Sequence, residues 1–230
     1  MISNSSSELK KGKRVRKKGG DDGSGGWPHI SYKPDLTVTP LKSNLLFTVP
    51  NFLTTFESKR FVEAAESLGF AHQGSLGPTR GEAFRDNDRI SVNHPVLAEA
   101  IWESGLKNIF SDVHVQKRKA VGLNPNIRFY RYHVGQRFGR HIDESAELGD
   151  NRCTLYTLLI YLTGGGTNDN TSLVGGETVF YDNRGRVVAE VAPIQGMALL
   201  HLHGHRCMLH EARAVRKNVK YILRSDVIFS

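Results

Sequence analysis

The chain has 230 residues, of which 39% are hydrophobic and 23% charged, with a formal net charge of +8. That length supports one domain with a sizeable core, and no run approaches the roughly 18 apolar residues of a membrane helix, so no membrane span is expected. Two cysteines, Cys153 and Cys207, give no disulfide scaffold and suit a reducing compartment.

The charge is unevenly placed. Seven positive charges fall within residues 10–18, and residues 1–26 hold half of the net charge. This segment is rich in Ser, Gly, Lys and Asp. It cannot bury enough apolar surface to offset the entropy of ordering, so it reads as a disordered basic tail. The basic run also suits a nuclear-import signal or a nucleic-acid anchor. No apolar h-region marks a secretory signal. Cytoplasm or nucleus is expected, and a chloroplast transit peptide stays open because such peptides lack a sharp pattern. Residues 27–43, with Pro28, Pro34 and Pro40, read as an irregular lead-in.

The folded domain is expected over 44–230, starting near Asn44. Leu45 to Val49 suits a short strand. Thr54 and Glu57 have capping-box spacing, and Phe61, Val62, Ala65 and Leu68 follow at helical spacing, which predicts a helix over 55–67 ended by Gly69. A second helix is expected after Pro95, through Leu97, Ile101 and Trp102, and a third from Leu106 to Val113. From Asn126 onward the chain becomes a series of short β-like runs, at 126–133, 138–143, 153–162, 176–181, 186–191, 197–203 and 218–229. Helices first and strands afterwards predict an α+β domain, with N-terminal helices packed on one sheet of a double-stranded β-helix, or jelly-roll, cupin-like core. Gly164 to Gly166 and the residues to Thr171 read as a flexible loop.

His141 and Asp143 stand two apart on a predicted strand. They therefore share a face and present two of the three ligands of a two-His, one-carboxylate site. The third ligand must come from elsewhere, and the C-terminal third contains His201, His203, His205 and His210. His201 and His203 also share a strand face and could form a rival site, one that would suit zinc. On the last strand the odd positions Val219, Tyr221, Leu223, Val227 and Phe229 are mostly apolar, while the even positions include Lys220, Arg224 and Asp226. One face can pack on helices while the other lines a polar pocket. A cation in such a pocket needs an anion, either a bound carboxylate or, for Arg224, an internal pair with Asp226.

The segment Arg131-Tyr132-His133-Val134-Gly135-Gln136-Arg137-Phe138-Gly139-Arg140-His141-Ile142-Asp143 resembles the Tyr…Gly-Gln…His-x-Asp motif of the prolyl 4-hydroxylase-like branch of the iron(II)/2-oxoglutarate oxygenases. Thr157 to Leu162, Gly175-Gly176-Glu177-Thr178, Pro193 with Gly196 to Leu200, and His210-Glu211 with Lys220 are similar to further motifs of that family, in the same order. The resemblance covers about 127–229 and favours His210 among the four histidines. It implies that His141, Asp143 and His210 bind Fe(II), that Lys220 pairs with the 5-carboxylate of 2-oxoglutarate, and that Tyr132 and Thr157 help hold this co-substrate. Arg224 could assist or reach substrate. The implied activity is hydroxylation of a C–H bond, on a peptidyl side chain of the prolyl type, with O2 as co-substrate, succinate and CO2 as products, and ascorbate as a supporting reductant. The implied partner is a protein or peptide. A nucleic acid engaged by the basic tail, a small-molecule substrate, and a non-catalytic binding module are the alternatives. Phe138 stands where the family often has Tyr, and Asp226 where some prolyl hydroxylases have Trp.

Overall fold

The structure is a computed structural model that describes residues 26–75, 77, 81–165 and 172–230. The basic tail, save Gly26, and the loop over 166–171 lie outside the described residues. Strands β1 (Thr39–Lys42) and β2 (Leu46–Val49) lead into helix α1 (Thr55–Leu68). Next come β3 (Ala71–Gly74), β4 (Arg85–Asn93), α2 (Pro95–Ile101) and α3 (Lys107–Ile109). Then follow β5 (His114–Val115), β6 (Arg118–Leu123), β7 (Asn126–Tyr132), β8 (Arg137–His141), β9 (Glu147–Gly149) and β10 (Arg152–Tyr161). The chain ends with β11 (Val174–Gly175), β12 (Thr178–Tyr181), β13 (Val187–Val191), β14 (Ala198–Leu202), β15 (His210–Ala212), β16 (Val215–Lys217) and β17 (Lys220–Phe229).

The protein is mostly antiparallel β-sheet with few helices. The main sheet runs β1-β2-β14-β10-β17-β7-β4-β8-β15-β12-β13 and is nearly closed. Its two faces carry two apolar clusters, and the alternation of each strand sorts residues between them. Phe129, Leu158, Ile160, Leu200, Leu223 and Val227 belong to the larger cluster, together with Phe61 and Ala65 of α1 and Leu97 and Ile101 of α2. Tyr130, Tyr132, Tyr161, Leu199 and Ile222 point the other way, into the smaller cluster. The parity expected of the last strand therefore holds: Leu223, Val227 and Phe229 face the larger cluster and Ile222 the smaller.

The capping box is present, with Thr54 Oγ1 accepting from Glu57 N and Glu57 Oε2 from Thr54 N. Glu57 is also buried, takes the Ser31 N–H at 2.7 Å and pairs with Lys33 at 3.1 Å. It thereby ties the lead-in to α1. Trp27 stacks on Phe129 at 4.8 Å, and Ile30 joins the same core. Packing thus begins upstream of Asn44, and the lead-in holds one strand, β1.

Helices do not precede strands in chain order: β3 and β4 lie between α1 and α2, and β5 and β6 precede Asn126. The third helix, expected over 106–113, is only Lys107–Ile109. A π-type turn at Trp102–Leu106 precedes it, with Gly105 at φ 150°, where an added Cβ would lie 2.5 Å from Leu36 Cδ1. A close approach of the lead-in, rather than helix propensity, sets this break.

Candidate active site

Two histidines meet because β8 and β15 pair with His210 opposite His141. The strand expected over 138–143 ends at His141, and the alternation carries into the loop beyond it, so Ile142 is exposed and Asp143 buried. The Asp143 backbone is pinned there. Its carbonyl accepts from Gly204 N at 2.9 Å, and its N–H donates to Cys207 Sγ at 3.3 Å. Gly204 has φ 72°, and a Cβ would sit 2.5 Å from Ser145 Oγ, so this turn needs glycine.

Both imidazoles are oriented alike. His141 Nδ1 lies 2.8 Å from Gly139 O, and His210 Nδ1 lies 2.9 Å from Met208 O. A carbonyl can only accept, so each Nδ1 carries the proton and each Nε2 keeps its lone pair. These Nε2 atoms lie 3.9 and 3.7 Å from the Asp143 carboxylate oxygens. Burial pushes the His141 pKa down to about 3 and lowers that of His210. Burial alone would raise the Asp143 pKa, but Arg224 and then the neighbouring histidines outweigh it and hold the group well below the usual carboxylate range. The set is therefore two neutral imidazoles and a carboxylate, all within 4.8 Å of one another, the donor chemistry that Fe(II) takes.

A supporting shell fixes the carboxylate. Thr157 Oγ1 donates to Asp143 Oδ2 at 2.8 Å and lies 2.9 Å from His203 Nδ1, whose other nitrogen is 3.1 Å from Thr154 Oγ1. Arg224 reaches Asp143 Oδ1 at 3.0 Å and Asp226 Oδ1 at 3.6 Å, and Asp226 also pairs with Arg128. His201, fully buried, brings a third imidazole: its Nε2 lies 3.4 Å from Asp143 Oδ2 but makes no hydrogen bond. His201, Cys207 and His210 form a second cluster of possible ligands. Burial raises the Cys207 thiol to about 11, which keeps it protonated and weakens that set as a metal site. His205 lies apart, exposed, with its Nε2 3.0 Å from Gln116 Nε2.

Lys220 occupies the same sheet face and is fully buried. Its Nζ donates to Gly176 O at 2.5 Å and lies 5.4 Å from the Tyr132 ring and 5.6 Å from the Tyr161 ring. Tyr161 Oη is 2.7 Å from Thr178 Oγ1. No described carboxylate forms an ion pair with this ammonium; burial pushes its pKa down to about 7, outweighing the attraction of the Glu177 carboxylate. Gly176 has φ 72°, and a Cβ there would meet Lys220 Cδ at 2.9 Å. The Gly-Gly-Glu-Thr segment thus lets the lysine stem pass and supplies Thr178, while Glu177 points away to Arg216 at 3.3 Å.

A narrow cleft lined by Tyr132, Leu159, Thr178 and Ile222 contains His141, Asp143, His210 and Arg224. The structure thus gathers His141, Asp143, His210, Arg224 and Tyr132 in one place, with Lys220 behind Tyr132. Thr157 stands at the carboxylate, and Tyr161 and Thr178 take the place by the lysine that the sequence reading gave to Thr157. Tyr161 and Thr178 are the site residues that sequence reasoning missed; His201, weighed there as part of a rival site, stands instead beside the Asp143 carboxylate. Tyr161 lies four residues after Thr157 on the same face, a signal that strand parity already contained.

Residues 127–225 match the family model described as "2OG-Fe(II) oxygenase superfamily". No curated protein matches the chain. Solved structures share the fold. A viral collagen prolyl hydroxylase from Paramecium Bursaria Chlorella virus-1 is 20% identical, with a TM-score of 0.56 over 82% of this chain and 97% of its own. A prolyl hydroxylase from Trichoplax adhaerens, solved with a hypoxia-inducible-factor degradation-domain peptide, is 18% identical, with a TM-score of 0.58 over 81% and 84%. A Pseudomonas putida prolyl-4-hydroxylase is 16% identical, with a TM-score of 0.51 over 79% and 91%.

Proposed function

We propose that this chain, an Fe(II)- and 2-oxoglutarate-dependent dioxygenase with a prolyl 4-hydroxylase-like fold, hydroxylates a C–H bond of a peptidyl side chain, of the prolyl type. In this reading the chain from 44 to 230, braced by its lead-in, is a double-stranded β-helix domain with helices on one face. The observation that carries it is the pair of imidazole Nε2 atoms turned toward one buried carboxylate, with a buried lysine lacking a described acidic partner on the same face. The Trichoplax structure holds a peptide, which supports a peptide as substrate.

Fe(II), 2-oxoglutarate and O2, when bound, supply the oxidising chemistry, with succinate and CO2 as by-products. His141, Asp143 and His210 would hold the iron. Lys220 would meet the distal carboxylate of 2-oxoglutarate, and Tyr132 and Tyr161 shield that pair from water. Charge pairing in a dry site is worth more than in water. Thr157 and Arg224 hold Asp143 in place, so its second oxygen cannot wander. His203 keeps Thr157 oriented.

The test is succinate formation from 2-oxoglutarate by protein loaded with Fe(II) under anaerobic conditions and then exposed to O2. Wild type is expected to turn over, His210→Ala to lose turnover entirely, and His203→Ala to retain it in part. Turnover that survives His210→Ala would overturn the ligand assignment. No turnover and no iron binding in any sample would overturn the function.

A further inference from the structure

We propose that the substrate peptide carries an acidic side chain beside the residue that is oxidised, held by Arg85 and Arg89 of β4. This rests on the oxygenase reading for the position of the reacting atom. A groove of about 570 Å³ opens onto the ligand cluster, sharing His141, Asp143 and Arg224 with the cleft. Among the described residues its charged lining beyond Asp143 is Arg85, Arg89, Arg128, Arg224, Glu82 and Glu144.

The four arginines differ in their partners. Arg128 and Arg224 are occupied by Asp226 and Asp143. Among the described residues neither Arg85 nor Arg89 has an acidic partner. Arg85 and Arg89 stand four apart on β4, so both project from one sheet face. Pairing confirms that face: Arg85 lies opposite Phe138, and Arg89 opposite Tyr130, both lining the groove. The Arg85 guanidinium sits 4.3 Å over the Phe138 ring, which stacks on His141 at 3.7 Å. A carboxylate held by Arg85 therefore lies about two residues of extended chain from the ligand cluster.

The groove favours a discrete carboxylate over a polyanion. Guanidinium forks match a carboxylate in a bidentate manner. Glu82 and Glu144 are exposed at the rim and would repel a phosphate backbone. Tyr130 and Phe138, the aromatic residues among its described lining, are buried and offer bases no stacking platform.

The experiment uses the full chain with Fe(II) and 2-oxoglutarate under anaerobic conditions. Fluorescence anisotropy is read on three labelled peptides of the same length, each with a central Pro flanked by Glu, Gln or Lys, and on a single-stranded oligonucleotide. The Glu peptide is expected to bind roughly tenfold tighter than the Gln peptide. Arg85→Gln with Arg89→Gln should erase that preference. Arg89→Glu should shift it toward the Lys peptide, a gain that misfolding cannot mimic. Equal affinity for Glu and Gln peptides, a preference that survives the double substitution, or tighter binding of the oligonucleotide would each overturn the proposal. Succinate formation is measured in parallel. Discrimination without turnover sustains the groove and sinks the oxygenase reading, and turnover without discrimination sinks the groove alone.

Discussion

The two ends of the site solve the problem of buried charge in opposite ways. At one end Asp143 is surrounded by Arg224 and three imidazoles, and each charge meets its complement inside the protein. At the other end Lys220 is as deeply buried but faces two aromatic rings and a carbonyl. A compensated charge fixes geometry. A charge without a counter-ion raises the energy of the empty protein and is relieved only when a ligand brings one. In the proposed reading, the contrast separates what the chain builds for itself from what it leaves for its co-substrate.

Substitutions at the two ends should accordingly move stability in opposite directions. Asp143→Asn keeps the shape but strips Arg224 of its nearest counter-charge. It is expected to abolish succinate formation and to destabilise the protein by about 3 kcal/mol in chemical denaturation. An unchanged denaturation midpoint would show that Asp226 suffices for Arg224 and would blur the comparison. Lys220→Met should do the reverse. Affinity for 2-oxoglutarate falls by a hundredfold or more, by calorimetry, while the ligand-free protein gains roughly 1–4 kcal/mol.

Removing an orienting contact is the next smaller change. Thr157→Val deletes the hydroxyl that Asp143 and His203 share. Metal affinity is expected to fall about 10- to 100-fold, read by equilibrium dialysis, with the fold intact.

The smallest effect is a pH dependence at the lysine end. Its folded pKa of about 7 lies below the 10.5 that is ordinary for a lysine, so the unfolded chain binds more protons between those values. Stability of the ligand-free protein therefore rises with pH through that window, and the burial penalty is fully present below it. In the proposed reading 2-oxoglutarate restores the charged form, so its binding should take up a proton above pH 7 and little below. Calorimetry in buffers of different ionisation heat reads this uptake, and none in either range would place the lysine outside the co-substrate site.

Much of this was legible in the sequence because alternation and capping are local. β10, β17 and α1 lie within one or two residues of their expected bounds. β4 was missed because Arg85-Asp86-Asn87-Asp88-Arg89 contains none of the residues that favour strands. Its face toward the groove is cationic, and its other face puts Asp88 against Arg131 at 2.8 Å. Tertiary pairing, not propensity, makes it a strand. The same limit hid Thr178 and left open where His201 stands, because the neighbours of both are set by cross-strand register rather than by sequence spacing. Thr157 was read from motif position, and its real partner, Asp143, comes from a loop that Gly204 and Cys207 hold in place.

The pairing of His141 with His210 also bears on how the molecule comes together in time. It closes a loop of about seventy residues, and long-range contacts form late because chain entropy opposes them. The larger apolar cluster contains none of the ligand residues. In the proposed reading the ion is therefore expected to bind a barrel already assembled rather than to template it. Refolding should run at the same rate with a chelator present, and iron capture should report that the final strands have zipped.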